Sequence, residues 1–417
     1  MYGELILITG AMLLVGFLLG LGAEKIGLPK VTGYLVAGLF LNPRLFSYIP
    51  EAFPVHTEPI IDLCLAFITF EVGFNLSVSK IKRHDTKLLT VSFLESFGAF
   101  LVVLLGFLFI APYLINDIPT DNFIALSIPF SLLLAALASP TDPSATLAVM
   151  HQYKAKGPVS DTILGCAAFD DAFTLIIYSI CFTLASMFMG DSAVSFGNVF
   201  SNGILSIAGA VAVGVAIGFI FNFLTQRLAI SSEGQLLVLL LAAISLAFGV
   251  SSLFAFDELL STLGVGVVAA NFNLQRRLLK EVVERYTEEL IFIFFFVVST
   301  MHLEYSSLAS YWHYILLFVL LRAIGKYVGA FAGLSITKAD KLSRRYTFAG
   351  LLPQGGIVMG LALMMQKDPR FDAFSAILVS TIMGATIIHE FAGPVAARWG
   401  LVKAGEVTLD NTKINVI

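Results

Sequence analysis

The strongest limit on this chain is a succession of apolar runs from residue 5 to residue 398, each near the length of a membrane-crossing helix. Such a helix takes about 20 predominantly apolar residues. Thirteen spans read from the sequence, at about 5–22, 31–42, 58–77, 88–115, 123–150, 158–190, 201–228, 233–254, 256–273, 287–303, 311–335, 345–366 and 373–398. The second is short, and only "AFDELLS" separates the eighth from the ninth. The chain is 58% hydrophobic and 13% charged. A soluble domain is about 45–50% apolar and about 25% charged. An all-α polytopic membrane protein is expected. A net charge of −4 argues against a nucleic-acid surface. The opening "MYGELILITG" lacks a basic leader region and reads as a first membrane helix. Cys64, Cys166 and Cys181 lie in apolar runs without metal-type spacing, so buried thiols are expected. "GVGVVAAN", from Gly264, follows no strand and lies inside a span, which excludes a nucleotide loop.

Charge fixes the orientation. Alternate loops of a polytopic protein collect Lys and Arg on the cytoplasmic side. The loops after spans 1, 3, 5, 7, 9 and 11, with the C-terminal end, hold 20 of the 25 basic residues. The opposite loops hold Arg44, Lys367 and Arg370, and span 11 itself carries Arg322 and Lys326. Thirteen spans, an outside N-terminus and a cytoplasmic C-terminus satisfy this split.

Ionisable groups inside a membrane are costly and mark function. Here they are Glu71, Glu95, Asp142, Asp170, Asp171, Arg322, Lys326, His389 and Glu390. Asp142 lies twelve residues before Lys154, Lys326 twelve before Lys338, and Asp170 nine after Asp161. At about 1.5 Å per residue these groups share a layer near the middle of the membrane. Two spans break in that layer. Span 5 reads "SPTDPSA", where Pro140 and Pro143 bracket Thr141 and Asp142. Span 12 reads "LLPQGGIVMG", with Pro353, Gln354, Gly355 and Gly356. Each broken span is second from last in a six-span block, 1–6 or 8–13, and the blocks enter from opposite sides. That layout is two inverted six-helix repeats, and paired broken helices point to a transporter site. Asp142 is placed to neutralise converging helix N-termini, and a cation in span 11 the opposing C-termini.

Within span 6, "CAAFDDAFTLIIY" puts Asp170 and Asp171 side by side. Adjacent helical residues point about 100° apart, so only one need face an ion path. Two neighbouring acids in low dielectric raise one another's proton affinity, which suits proton exchange. Asp171 is the expected ion carrier. Thr141, by side chain or carbonyl, is a candidate ligand. Either Lys326 or Arg322 is the counter-charge. Glu71 and Glu95 are accessory candidates, Glu71 at an entry funnel and Glu95 opposite Arg322. His389 and Glu390 read as a local contact near the cytoplasm. Asp257 and Glu258 read as a solvated outer turn.

At these residues the sequence resembles the monovalent cation/proton antiporter superfamily, the sodium/proton exchangers and their Kef-type relatives. "IGLPKVTGYLVAGLFLNP", "PTDPSA", "FDDAF" and "LLPQGGIVMGLAL" look like its second-helix opening, first unwound helix, paired-acid motif and second unwound helix, in order. "FEVGFNL" around Glu71 resembles the NhaP-type third helix, while the Asp pair resembles electrogenic members. The resemblance implies exchange of sodium (or lithium) for protons by an elevator-like motion, with sodium at Asp171 and Asp170 paired to the basic residue of span 11. It implies a dimerisation domain from 1–80 and 229–305, a core from 85–190 and 311–400, a linker at 201–228 and a short cytoplasmic tail at 401–417. A homodimer in lipid, no cofactor, no nucleotide-binding domain and a prokaryotic inner membrane are expected with it. Potassium/proton exchange is the nearest alternative. An intramembrane aspartyl protease is remote, because its two acids belong on separate helices and no GxGD is present. A channel or sensor fits paired helix breaks less well than a carrier does.

Overall fold

The computed structural model of the chain describes residues 2–26, 28, 30–43, 49, 50, 53, 57–76, 86–109, 123–142, 146, 149, 150, 153–189, 196–228, 232–286, 290–301, 309–354 and 357–407. Pro143, Gly355 and Gly356, expected at the two breaks, lie outside the described residues. Among the described residues the regular elements are fifteen α-helices and one 3-10 turn at Pro369–Phe371, with no strand. This follows from the solvent: in hydrocarbon a backbone must satisfy its own hydrogen bonds, and an open sheet edge has no partner there.

In chain order the helices are α1 (Tyr2–Lys25), α2 (Lys30–Phe40), α3 (Glu58–Asn75), α4 (Thr86–Phe109), α5 (Phe123–Ala136), α6 (Pro158–Met189), α7 (Phe196–Arg227) and α8 (Glu233–Leu253). Then come α9 (Glu258–Phe272), α10 (Arg276–Tyr286), α11 (Phe292–Met301), α12 (Trp312–Ile336), α13 (Lys341–Gly350), α14 (Ile357–Gln366) and α15 (Ser375–Lys403). Seven of them, α1, α4, α6, α7, α8, α12 and α15, are long and apolar enough to cross a membrane. Shorter apolar helices, α2, α5, α9, α11 and α14, lie between them.

One helix falls where the sequence reading has only a basic loop. The segment "RRLLKEVVERY" forms α10, with Leu279, Val282 and Val283 buried on one face. Arg277 and Glu281 pair on its exposed side, and Arg285 reaches Glu233 at the start of α8 at 2.6 Å. Three apolar residues at helical spacing made it an amphipathic helix. Its four basic residues drew attention only as topology markers. Outside the spans, α13 starts at Asp340, which accepts hydrogen bonds from the backbone of Leu342 and Ser343. The Ser343 hydroxyl bonds it too, and together these hold the Asp340 carboxyl below the usual carboxylate range.

The helices pack in two groups. In one, α12 lies along α4, α5 and α6 pack on each other and on α4, and α13, α14 and α15 close the far side. In the other, α3 lies along α9, α2 packs on α1 and α11, and α7 and α8 pack on α9. The groups meet where α6 touches α3, α7 and α9, where α2 touches α15, and where α14 touches α3 and α11. The α6–α9 contact carries a hydrogen bond from Ser179 to Asp257, which also accepts from Leu260 N at the N-cap of α9. Asp257 is therefore a structural cap, where a solvated outer turn was expected.

The α4–α12 contact positions the site, and glycine makes it possible. A Cβ at Gly329 would sit 2.3 Å from the Leu94 carbonyl oxygen and 2.8 Å from the Glu95 Cα. One at Gly325 would sit 2.7 Å from the Ala99 Cα. Close backbone approach through small residues is how membrane helices associate. Here it brings Lys326, between the two glycines, onto Glu95. Gly329→Leu is expected to force the helices apart, at about 1–3 kcal/mol for overpacking. A thermal-shift measurement on the purified protein should show the lowered midpoint, and an unaltered midpoint would contradict this packing.

Candidate functional site

The first break begins where α5 ends at Ala136. Leu137 and Ala138 turn, their amides bonding to Leu134 and Ala135, and Pro140 offers no donor to continue the helix. The second begins after Gly350, where Leu351 caps α13 onto Phe348 before Pro353. The two breaks are tied to each other. The Asp142 amide donates to the Pro353 carbonyl at 3.0 Å, the Gln354 side chain to the Leu137 carbonyl at 3.1 Å, and the Thr146 hydroxyl to the Gly350 carbonyl at 2.7 Å. Gln354 thus contributes a cross-link between the two breaks.

Arg322 and Lys326 are both fully buried on α12, one turn apart, and have different partners. Arg322 faces carbonyls. It donates to Ala138 at 3.0 Å and Pro140 at 2.7 Å in the first break. In the second it donates to Leu352 at 2.5 Å and Pro353 at 3.4 Å. Helix C-terminal carbonyls carry partial negative charge and lack partners. A forked guanidinium answers both broken ends at once. Lys326 faces acids. Its ammonium pairs with Glu95, lies 3.5 Å from Asp170 Oδ2, donates to Thr141 Oγ1 at 2.9 Å, and bonds the Ser139 carbonyl. Glu95, expected opposite Arg322, is paired with Lys326 instead. The α4–α12 glycine contact sets that register.

Asp170 and Asp171 occupy contrasting surroundings. Asp170 is fully buried and saturated. Ser92 donates to Oδ1 at 2.8 Å, Ser96 to Oδ1 at 3.2 Å, and Thr141 to Oδ2 at 2.7 Å. Asp171 is half-buried, and its Oδ1 is shut from solvent with no hydrogen-bond partner among the described residues. The charges that act on it are Asp170, Asp142, Lys326 and Glu71. Glu71 is half-buried on α3, in the other helix group. One acid is locked into the scaffold, and its neighbour keeps a buried oxygen without a donor among the described residues.

Several site residues escaped the sequence reading. Ser92 and Ser96 lie on the Glu95 side of α4, and "SFLES" already spaces Ser92 three and four residues from Glu95 and Ser96. The Gly325, Gly329, Gly333 repeat in "GKYVGAFAG" was equally visible. Glu390, expected in a local contact near the cytoplasm, is fully buried and accepts from the hydroxyl of Thr32, two residues into α2, at 3.3 Å.

Two broken helices cross-tied around buried, mutually compensating charges are the build of a membrane transporter. Residues 10–398 match the family model of the transmembrane sodium/hydrogen exchangers, and the chain belongs to that family of transporters. It is 25% identical over 374 residues to the Na(+)/H(+) antiporter ApNhaP of Aphanothece halophytica, a match covering 84% of this chain and 66% of ApNhaP. The chain therefore spans somewhat under two thirds of that relative's length. It is 23% identical over 371 residues to the Na(+)/H(+)-K(+) antiporter GerN of Bacillus cereus, covering 86% of this chain and 88% of GerN. Its fold matches that of the sodium proton antiporter MjNhaP1 from Methanocaldococcus jannaschii at pH 8, with a TM-score of 0.74 over 96% of this chain and 99% of the other, at 20% identity.

Proposed function

We propose that this chain exchanges sodium or lithium for protons across a membrane, with Asp171 holding the cation and the proton in turn. The observation that carries this reading is the unequal treatment of two adjacent acids. Asp170 has every oxygen occupied, whereas Asp171 has a buried oxygen with no donor and three other acids acting on it. A carboxyl so placed takes either a proton or a small cation, and not both. Thr141 completes the surroundings through its carbonyl, its hydroxyl being engaged with Asp170 and Lys326. Asp142 and the half-buried Glu71 add negative charge along the approach.

Alternating access would come from the group of α4–α6 and α12–α15 sliding against α1–α3 and α8–α11, with α7 as connector. In the terms of the sequence, 85–190 and 311–400 move, while 1–80 and 229–305 hold the dimer. A prokaryotic inner membrane with the N-terminus outside is the setting for this reading. The printed name of GerN includes potassium, so potassium belongs in the test. The experiment is proton flux in liposomes holding the purified protein, with sodium, lithium and potassium added separately at several pH values. Sodium and lithium are expected to collapse a preset pH gradient and potassium to act weakly. A response to potassium alone would replace the substrate, and no response to any of the three would sink the exchanger reading.

A further inference from the structure

We propose that Lys367 and Asp62 form a latch that holds the two helix groups together at one end, and that opens each time the groups slide. The proposal rests on the alternating-access reading above. Lys367 follows the last residue of α14, in one group, and Asp62 lies near the start of α3, in the other. The Lys367 ammonium donates to Asp62 Oδ1 at 2.7 Å. The two side chains keep 36% and 27% of their surface exposed. An ion pair this wet is weakly held, because water solvates both partners when it parts. That suits a contact that breaks and re-forms. The fully buried Lys326–Glu95 pair lies inside one group and has no water to part into.

A second link between the groups lies at the same end. Ser179 on α6 donates to Asp257 at the start of α9. Three residues further along α6, Phe182 meets Phe371 edge to face, with ring centroids 5.3 Å apart. The Arg370 guanidinium lies 5.7 Å from the centre of the Phe182 ring. Arg370 and Phe371 belong to the 3-10 turn that begins two residues after Lys367. That turn therefore stands between the two links and ties α6 to the end of α14. Closer to the middle of α14, the groups touch directly. A Cβ at Gly360 would sit 2.5 Å from Leu65 Cδ1 of α3 and 3.0 Å from the Phe295 ring of α11. A cavity of about 230 Å³ lies along this seam, lined by Asp62, Leu65, Gly360, Leu363, Met364 and Lys367 with their neighbours. Both partners of the ion pair stand in its wall.

The latch acts on conformation and not on the ion. Ser179 is eight residues beyond Asp171 on α6, about 12 Å along the helix. Neither Lys367 nor Asp62 belongs to the cluster around Asp170. The groups are also joined by Thr32 of α2 and Glu390 of α15, through a hydroxyl at 3.3 Å. Displacing one group along the other pulls Lys367 away from Asp62 and Ser179 away from Asp257, because each bond has one partner on each side. The ion pair thus favours the conformation described here over one in which this end has parted.

The test uses the full-length protein in liposomes, with Cys64, Cys166 and Cys181 replaced by alanine, and two readouts. In the first, Asp62→Cys/Lys367→Cys is bridged with a bifunctional methanethiosulfonate and the free thiols are counted. Bridging is expected to lower sodium-driven proton flux at least tenfold, and a reductant to restore it. A bridged protein with undiminished flux overturns the proposal, and so does failure of the two thiols to be bridged. The second readout needs no transport. Leu65→Cys, buried in the seam, is labelled with a membrane-impermeant maleimide. Its labelling rate is expected to rise about two- to fivefold on adding Lys367→Gln or Asp62→Asn, the range open to a part-exposed ion pair. The charge exchange Asp62→Lys/Lys367→Asp is expected to bring the rate back towards that of the parent. A rate unmoved by both single neutralisations overturns the proposal. Absence of flux in the unbridged parent would defeat the exchanger reading, and the labelling arm would still decide the latch.

Discussion

Asp171→Asn is expected to reduce sodium-driven proton flux to the background of empty liposomes at every pH, without lowering the thermal midpoint of the purified protein. Both halves follow from its surroundings. Function is lost because an amide cannot exchange a proton for a cation. Stability is kept because the wild-type carboxyl is poorly satisfied: Oδ1 has no partner among the described residues, and the group sits among acids. Replacing a crowded buried charge by a neutral isostere removes a repulsion. The informative contrast is Asp170→Asn. There an acceptor for Ser92, Ser96 and Thr141 and a partner of Lys326 is altered, at a cost of about 1–3 kcal/mol for each buried donor left unsatisfied. Its thermal midpoint should fall. Differential scanning fluorimetry and the flux assay on both variants separate the roles. A stability loss in Asp171→Asn matching that of Asp170→Asn would contradict the division of labour between the neighbours.

Much of this arrangement could be read from the chain before any coordinates. Hydropathy located the long helices to within a few residues because lipid imposes one length and one backbone solution on every span. Span 11 was expected at 311–335 and α12 covers Trp312–Ile336. Span 8 was expected at 233–254 and α8 covers Glu233–Leu253. The breaks were legible because proline acts locally. Pro140 and Pro353 lie just beyond helix ends at Ala136 and Gly350, whereas Pro129 and Pro394 are accommodated inside helices. Partner choice was not legible. Whether Glu95 meets Arg322 or Lys326 depends on the register between α4 and α12, which the backbone contacts at Gly325 and Gly329 fix. A shift of one turn would exchange the partners. The partner of Glu390 was hidden for a related reason. Depth along one helix can be counted from its nearest charge, but the contact with Thr32 also needs the rotation of α15 and its register against α2. Those are tertiary quantities. The "RRLLKEVVERY" helix needed only periodicity and was missed because its charge served another argument.

The largest stability loss is expected from Lys326→Met, and Glu95→Gln should reverse most of it. Arg322 and Lys326 stand against Glu95 and Asp170, two buried cations with two buried anions, and the four charges cancel. Removing Lys326 leaves a net negative cluster without access to water. Breaking a buried ion pair from one side costs about 3–5 kcal/mol. Neutralising Glu95 restores the balance, so the double variant should regain most of the lost thermal midpoint. Arg322→Met should not be rescued by Glu95→Gln, because Arg322 bonds the Ala138, Pro140, Leu352 and Pro353 carbonyls and not that acid. The same double variant addresses the charge carried per cycle. The Lys326 ammonium has four partners, so its donors are all engaged. We assign it as a fixed counter-charge. Lys326→Met/Glu95→Gln should therefore still drive sodium-dependent proton flux, with a membrane-potential dye response of the same sign as the wild type. Loss of the dye response with flux retained would make Lys326 a proton carrier, and would overturn its assignment as a fixed charge.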